Sequence, residues 1–247
     1  MIHTIAWREF RSLFLSPLAW VILAVVQLIM AYLFLSHVDQ YMLWQPRLLG
    51  MADAPGSTEI IVAPLFGNAA IILLLVVPLI TMRLVSEERR NRTLALLFSA
   101  PVTMTEIVLG KFLGIIFFLM LVLFMITLMP LSLLAGGGLD FGLLAAGVLG
   151  LGLMLAAFAA VGLFMSTLTQ TPTIAATSSF GVALLFWILD ASGSGEDSLL
   201  AYMSLLNHYE PFLSGIFDST DAIYLILFIA TFLVLSVRRL DADRLGG

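Results

Sequence analysis

Apolar residues run along this chain in long stretches with neither strict alternation nor a one-faced stripe, interrupted by short clusters of charge, glycine and proline. Segments 71–80 and 115–125 are apolar at every position, so each would be apolar on all faces of whatever element it formed. A helix rises about 1.5 Å per residue, and roughly 20 mostly apolar residues cross the hydrocarbon core of a bilayer. The stretches 17–36, 60–82, 107–134, 141–168, 172–189 and 222–237 are read as six such crossings, the last short enough to need flanking polar residues to snorkel. A transmembrane β-barrel would instead show segments of about ten residues alternating apolar and polar.

Composition strengthens this reading. Hydrophobic residues make up 61% of the 247 and charged residues 11%, and the mean hydropathy is +1.10, more apolar surface than a water-soluble fold of this length can hide. The expected fold class is therefore an all-α integral membrane protein, one transmembrane domain over 1–247. There is no Cys, which removes disulfides and thiolate-ligated metals. No small-residue cleavage site follows the first apolar run, so no cleaved signal peptide is expected.

Lys and Arg favour cytoplasmic loops. With both termini inside, ten of the eleven basic residues fall on the cytoplasmic side and only Arg47 outside, while ten of the sixteen acidic residues lie outside. The formal net charge of −5 thus describes neither face and implies no basic or nucleic-acid partner.

Between the crossings, residues 2–14 read as a helix lying in the inner interface, with Ile2, Ile5, Ala6, Phe10, Leu13 and Phe14 on one side and Thr4, Arg8, Arg11 and Ser12 on the other. Ser16-Pro17 reads as the N-cap and first turn of the next helix. The first outer loop is expected from His37 to Glu59, with Tyr41 and Trp44 at the membrane edge. The fourth crossing is rich in small residues, and Gly138 and Gly142 stand at the four-residue spacing that lets helix backbones approach. After the fifth, 191–221 holds two apolar stretches too short to cross, 199–206 and 212–217, expected as short re-entrant helices at the outer face. His208 and Glu210 lack further ligands at workable spacing, so they read as turn and packing residues.

The connection 83–106 carries the functional signal. Charges run to Arg92, then Leu94, Leu97 and Phe98 share a face of a short amphipathic helix that Pro101 ends, and Thr103 with Glu106 forms a capping box that starts the third crossing. Arginines alone would suffice to set topology; a helix of this design is what a cytoplasmic partner would grip.

The run from Glu87 to Lys111 resembles the same connection in the type 2 family of ABC transporter permeases: the acidic pair Glu87-Glu88, Arg92-Thr93-Leu94, Pro101-Val102 and Gly110-Lys111. Arg92 stands where glycine is common in that family. Trp7-Arg8-Glu9-Phe10, Ser16-Pro17-Leu18-Ala19 and Glu210-Pro211-Phe212 with Gly215 and Asp218 are similar to the gliding-motility-type subgroup. The resemblance implies a half-transporter of the bacterial inner membrane, with Glu87, Glu88, Arg92, Thr93, Leu94, Leu97, Phe98, Pro101 and Val102 docking a cytoplasmic ABC ATPase. It further implies two ATPase copies, a second permease copy or homologue, and an auxiliary periplasmic protein in some members. No Gly-x-x-x-x-Gly-Lys-Ser/Thr loop occurs here, so ATP and Mg²⁺ would be bound by the separate ATPase and the chain itself would be neither an enzyme nor a cofactor carrier.

Two other classes fit less well. An ion- or proton-coupled transporter or channel would place ionisable groups within its crossings, which are nearly free of them, favouring instead a lipid-like or amphipathic substrate or force transmitted to a periplasmic partner. An intramembrane enzyme would need a catalytic constellation, and Thr177, Ser178 and Ser179 have no His nearby.

Overall fold

The computed structural model describes residues 1–48, 56–93, 102–136, 138–189 and 202–246, and the regular elements among them are helices. Within hydrocarbon a helix satisfies its backbone N–H and C=O groups internally, which is what a chain this apolar requires. α1 (Ile2–Leu15) turns at Ser16 into α2 (Pro17–Leu48), and Ser16 Oγ accepts the Leu18 N–H at 3.3 Å, the cap expected there. α3 (Ser57–Thr81) leads through a turn to the five-residue α4 (Ser86–Arg90). α5 (Met104–Leu131) ends in a 3-10 turn, Ser132–Gly136, and α6 (Phe141–Leu168) and α7 (Pro172–Ile188) follow. The short α8 (Glu210–Leu213) precedes α9 (Ser219–Gly246).

Five helices, α2, α3, α5, α6 and α9, are long and apolar enough to cross a membrane, and α7 is a shorter apolar helix of 17 residues. This shifts the marginal crossing. Sequence reading placed it last, ending at 237, but α9 runs 28 residues in all, to Gly246, because Arg238, Arg239, Leu240, Ala242 and Arg244 are competent helix formers and Arg239 pairs with Asp243 one turn on, at 3.5 Å. The segment that falls short is 172–189, about 26 Å as a 17-residue helix at about 1.5 Å per residue.

The first outer loop is corrected as well. Residues 37–48 are the last turns of α2 rather than loop, since Val38 and Tyr41 still pack on the bundle and the His37 ring meets the Asn68 amide of α3 at 3.2 Å. In the segment after α7, 190–201 lies outside the described residues. Beyond it the 212–217 stretch forms only α8 and a turn, because Gly215 takes a left-handed φ of 77° that ends helical continuation.

α6 is the central helix of the bundle, and its small residues explain why. A Cβ on Gly147 would lie 2.5 Å from Phe66 Cδ2 of α3, and one on Gly150 would lie 2.5 Å from Phe212 Cβ of α8, so both rings pack directly on α6 backbone. Gly138 and Gly142 play no such part. Gly138 precedes the helix and accepts the Ser57 hydroxyl through its carbonyl at 2.5 Å, and Gly142 lies in the first turn, its N–H capped by Asp140 at 2.7 Å.

The ends of the bundle are chemically distinct. At one end Tyr209, buried, donates its hydroxyl to the Phe66 carbonyl at 3.0 Å, and His208 sits 2.6 Å from the Asp221 carboxylate, stacked on Tyr224. At the other end lie α1, α4, the start of α5 and the end of α9, which brings both termini to the same end.

Candidate functional site

α4 follows α3 after a turn held by the end of α6. Ser166 Oγ accepts the Val85 and Ser86 N–H groups at 3.0 and 3.1 Å and donates to the Met82 carbonyl at 3.1 Å. The first donors of a helix have no partner within it, and here one buried hydroxyl from another helix supplies the acceptor. Arg89 then reaches from α4 to the Thr167 carbonyl at 2.9 Å and to the Asp243 carboxylate of α9.

Lys111 fixes α4 from a third side. Its side chain is 3% exposed, five residues inside α5 from the capping-box glutamate, and its Nζ donates to Glu88 Oε1 and to the Leu84 carbonyl, each at 2.7 Å, with Glu9 of α1 at 3.6 Å. A buried ammonium is tolerated only when paired and hydrogen-bonded, and this one has three oxygen neighbours from three segments. The packing that buries it is also encoded in α5. A Cβ on Gly110 would stand 2.7 Å from Ile5 Cβ, and one on Gly114 would stand 2.7 Å from Glu9 Cβ, so this small-residue pair is the seat of α1. Glu88 Oε2 and Arg89 Nε remain buried without a hydrogen-bond partner among the described residues, so the junction holds polar groups that a shift could satisfy.

α4 ends in a Schellman motif. The Thr93 N–H donates to the Glu88 carbonyl at 3.0 Å and the Arg92 N–H to the Arg89 carbonyl at 3.2 Å, with Arg92 at φ 57°. Among the described residues Arg92 alone of the non-glycines has positive φ, at the position where the resemblance marked glycine as common. The capping box at the start of α5 is present: Thr103 Oγ1 accepts the Glu106 N–H at 3.2 Å, and the Thr103 N–H donates to Glu106 Oε2 at 3.0 Å.

The residues singled out from sequence therefore separate. Glu88 turns inward to Lys111, whereas Glu87 stays near the surface, 3.9 Å from Arg90. Arg92 and Thr93 are exposed, and Val102 packs partly buried on the core. Leu94, Leu97, Phe98 and Pro101 lie outside the described residues. Sequence reasoning missed Ser166 and Asp243, and it met Glu9 and Lys111 only within the motifs Trp7-Arg8-Glu9-Phe10 and Gly110-Lys111, with no structural role; a lone cation inside an apolar helix was the available signal for Lys111.

No curated protein matches the chain. The family described as ABC-2 family transporter protein matches residues 3–244, almost its full length, and it is to this family of membrane transport subunits that the chain belongs.

Proposed function

We propose that the chain is the permease subunit of an ATP-driven transporter and that α4, with the connection leading into α5, receives the stroke of a separate cytoplasmic ATPase that binds ATP and Mg²⁺. In this reading α7 is a sixth crossing, both termini are cytoplasmic and α1 lies in the inner interface of a bacterial cytoplasmic membrane. Glu87, Arg92, Thr93, Leu94, Leu97, Phe98, Pro101 and Val102 face the ATPase, and Glu88 ties their platform to the bundle. The working complex has two ATPases and two permeases, with a periplasmic partner where the gliding-motility likeness extends to assembly. The cargo is lipid-like or amphipathic, or the product is force on that partner.

The observation that carries the reading is the three-sided anchoring of α4: Lys111 of α5, Ser166 of α6 and Asp243 of α9 all hold this five-residue helix. A loop serving only to orient the chain needs arginines but no such anchoring. Any push on α4 reaches three long helices and, through Glu9, α1.

The test is co-purification of the ATPase with Leu94→Asp and Phe98→Asp variants. Both should insert in the membrane and lose the ATPase; normal recovery of the ATPase with both would refute the docking surface.

A further inference from the structure

A cleft opens beside the Lys111 junction, between α1, the first turns of α2 and the end of α3. Its deeper lobe, about 240 Å³, has Leu18, Ala19, Ile22 and Ile80 among its walls. A polar lobe of about 200 Å³ adjoins it through shared residues including Glu9, Arg83 and Glu87, and adds Arg8.

The charges in the polar lobe are unevenly satisfied. Lys111 is taken by Glu88 and Glu9. Arg8 and Arg83 are exposed and, among the described residues, have no carboxylate within 4.0 Å. Two uncompensated guanidinium groups at one opening suit a phosphate, which each can bind through two N–H donors. Glu87 stands at the same opening with a cation, Arg90, no closer than 3.9 Å, so it can take a second positive group. The depth fits as well: Trp7 and Trp20 are exposed at this end, and Trp20 Nε1 donates to the Phe14 carbonyl at 3.0 Å across the α1–α2 corner, as rings at headgroup level do. A site with an apolar floor, two unpaired guanidiniums, one carboxylate held only loosely by Arg90 and an interfacial mouth matches the parts of one molecule class.

We infer that this cleft holds one aminophospholipid, its phosphate on Arg8 and Arg83, its ammonium on Glu87, and part of an acyl chain against Leu18, Ala19, Ile22 and Ile80. The lipid wedges α1 against α2 and α3. The inference needs the membrane assignment but not the ATPase; it turns Glu87 from the ATPase to the lipid, and its failure leaves the docking surface standing.

Native mass spectrometry of the full chain released from nanodiscs of mixed phosphatidylethanolamine, phosphatidylglycerol and phosphatidylcholine tests it. One phosphatidylethanolamine per chain should be retained, with excess inorganic phosphate failing to displace it. Retention should fall about tenfold, the equivalent of about 1.4 kcal/mol, in the surface double variant Arg8→Gln/Arg83→Gln and again in Ala19→Phe, which fills the floor. Undiminished retention in both variants, equal retention of all three lipids, or displacement by phosphate alone would overturn the site.

Discussion

Lys111 Nζ and Glu88 Oε1 stand 2.7 Å apart, joining α5 to α4 where the Lys111 side chain is almost fully buried. Removing one partner of such a pair leaves the other charge without compensation, which costs more than the pair contributes. Lys111→Met should lower stability by about 3 kcal/mol, whereas Lys111→Met/Glu88→Gln should recover most of it. Thermal unfolding of the purified protein by intrinsic fluorescence checks both.

Arg92 holds a left-handed φ of 57° that costs a side-chain-bearing residue about 1 kcal/mol and glycine almost nothing. Arg92→Gly should leave the fold intact and stabilise the end of α4, and Arg92→Val should weaken it. Hydrogen exchange of the Arg92 and Thr93 amides, protected by Arg89 and Glu88 carbonyls, reports the difference.

Ser166 accepts two backbone N–H groups in a buried position. Ser166→Ala orphans both, at about 1–3 kcal/mol for each buried donor. The melting temperature should fall clearly, while Ser214→Ala at an exposed site should leave it unchanged.

Gly114 lies under α1, where any side chain meets the Glu9 Cβ and the Ala6 carbonyl. Gly114→Leu should lift α1 from its seat. Because the chain has no native Cys, a single Ile5→Cys reports on this cleanly: slow maleimide labelling with glycine at 114, fast labelling with leucine.

The fold was legible wherever the cause was local. Long apolar runs gave the helices, Ser16-Pro17 the α2 start, and Thr103 with Glu106 the α5 start, because caps and hydropathy act within a few residues. The junction was legible only as a motif. Lys111 counted as one more cytoplasmic charge, since its burial depends on α1 folding across Gly110 and Gly114 from about a hundred residues away in sequence. Glu87 and Glu88 looked equivalent as an acidic pair, and only the phase of a five-residue helix decides which turns inward. Asp243 was out of reach for another reason: hydropathy ends the last helix where its apolar residues end, while the backbone continues on charged helix formers to bring Asp243 beside Arg89.

Removing charge from the junction tests most directly whether α4 drives the bundle through Lys111. In proteoliposomes holding the permease with its ATPase, Lys111→Met and Glu88→Gln alone should each uncouple ATP hydrolysis from transport while the ATPase stays bound, and Lys111→Arg, which keeps a cation against Glu88, Glu9 and the Leu84 carbonyl, should retain coupling. Full coupling in both neutral variants, or coupling lost equally in Lys111→Arg, would contradict the account.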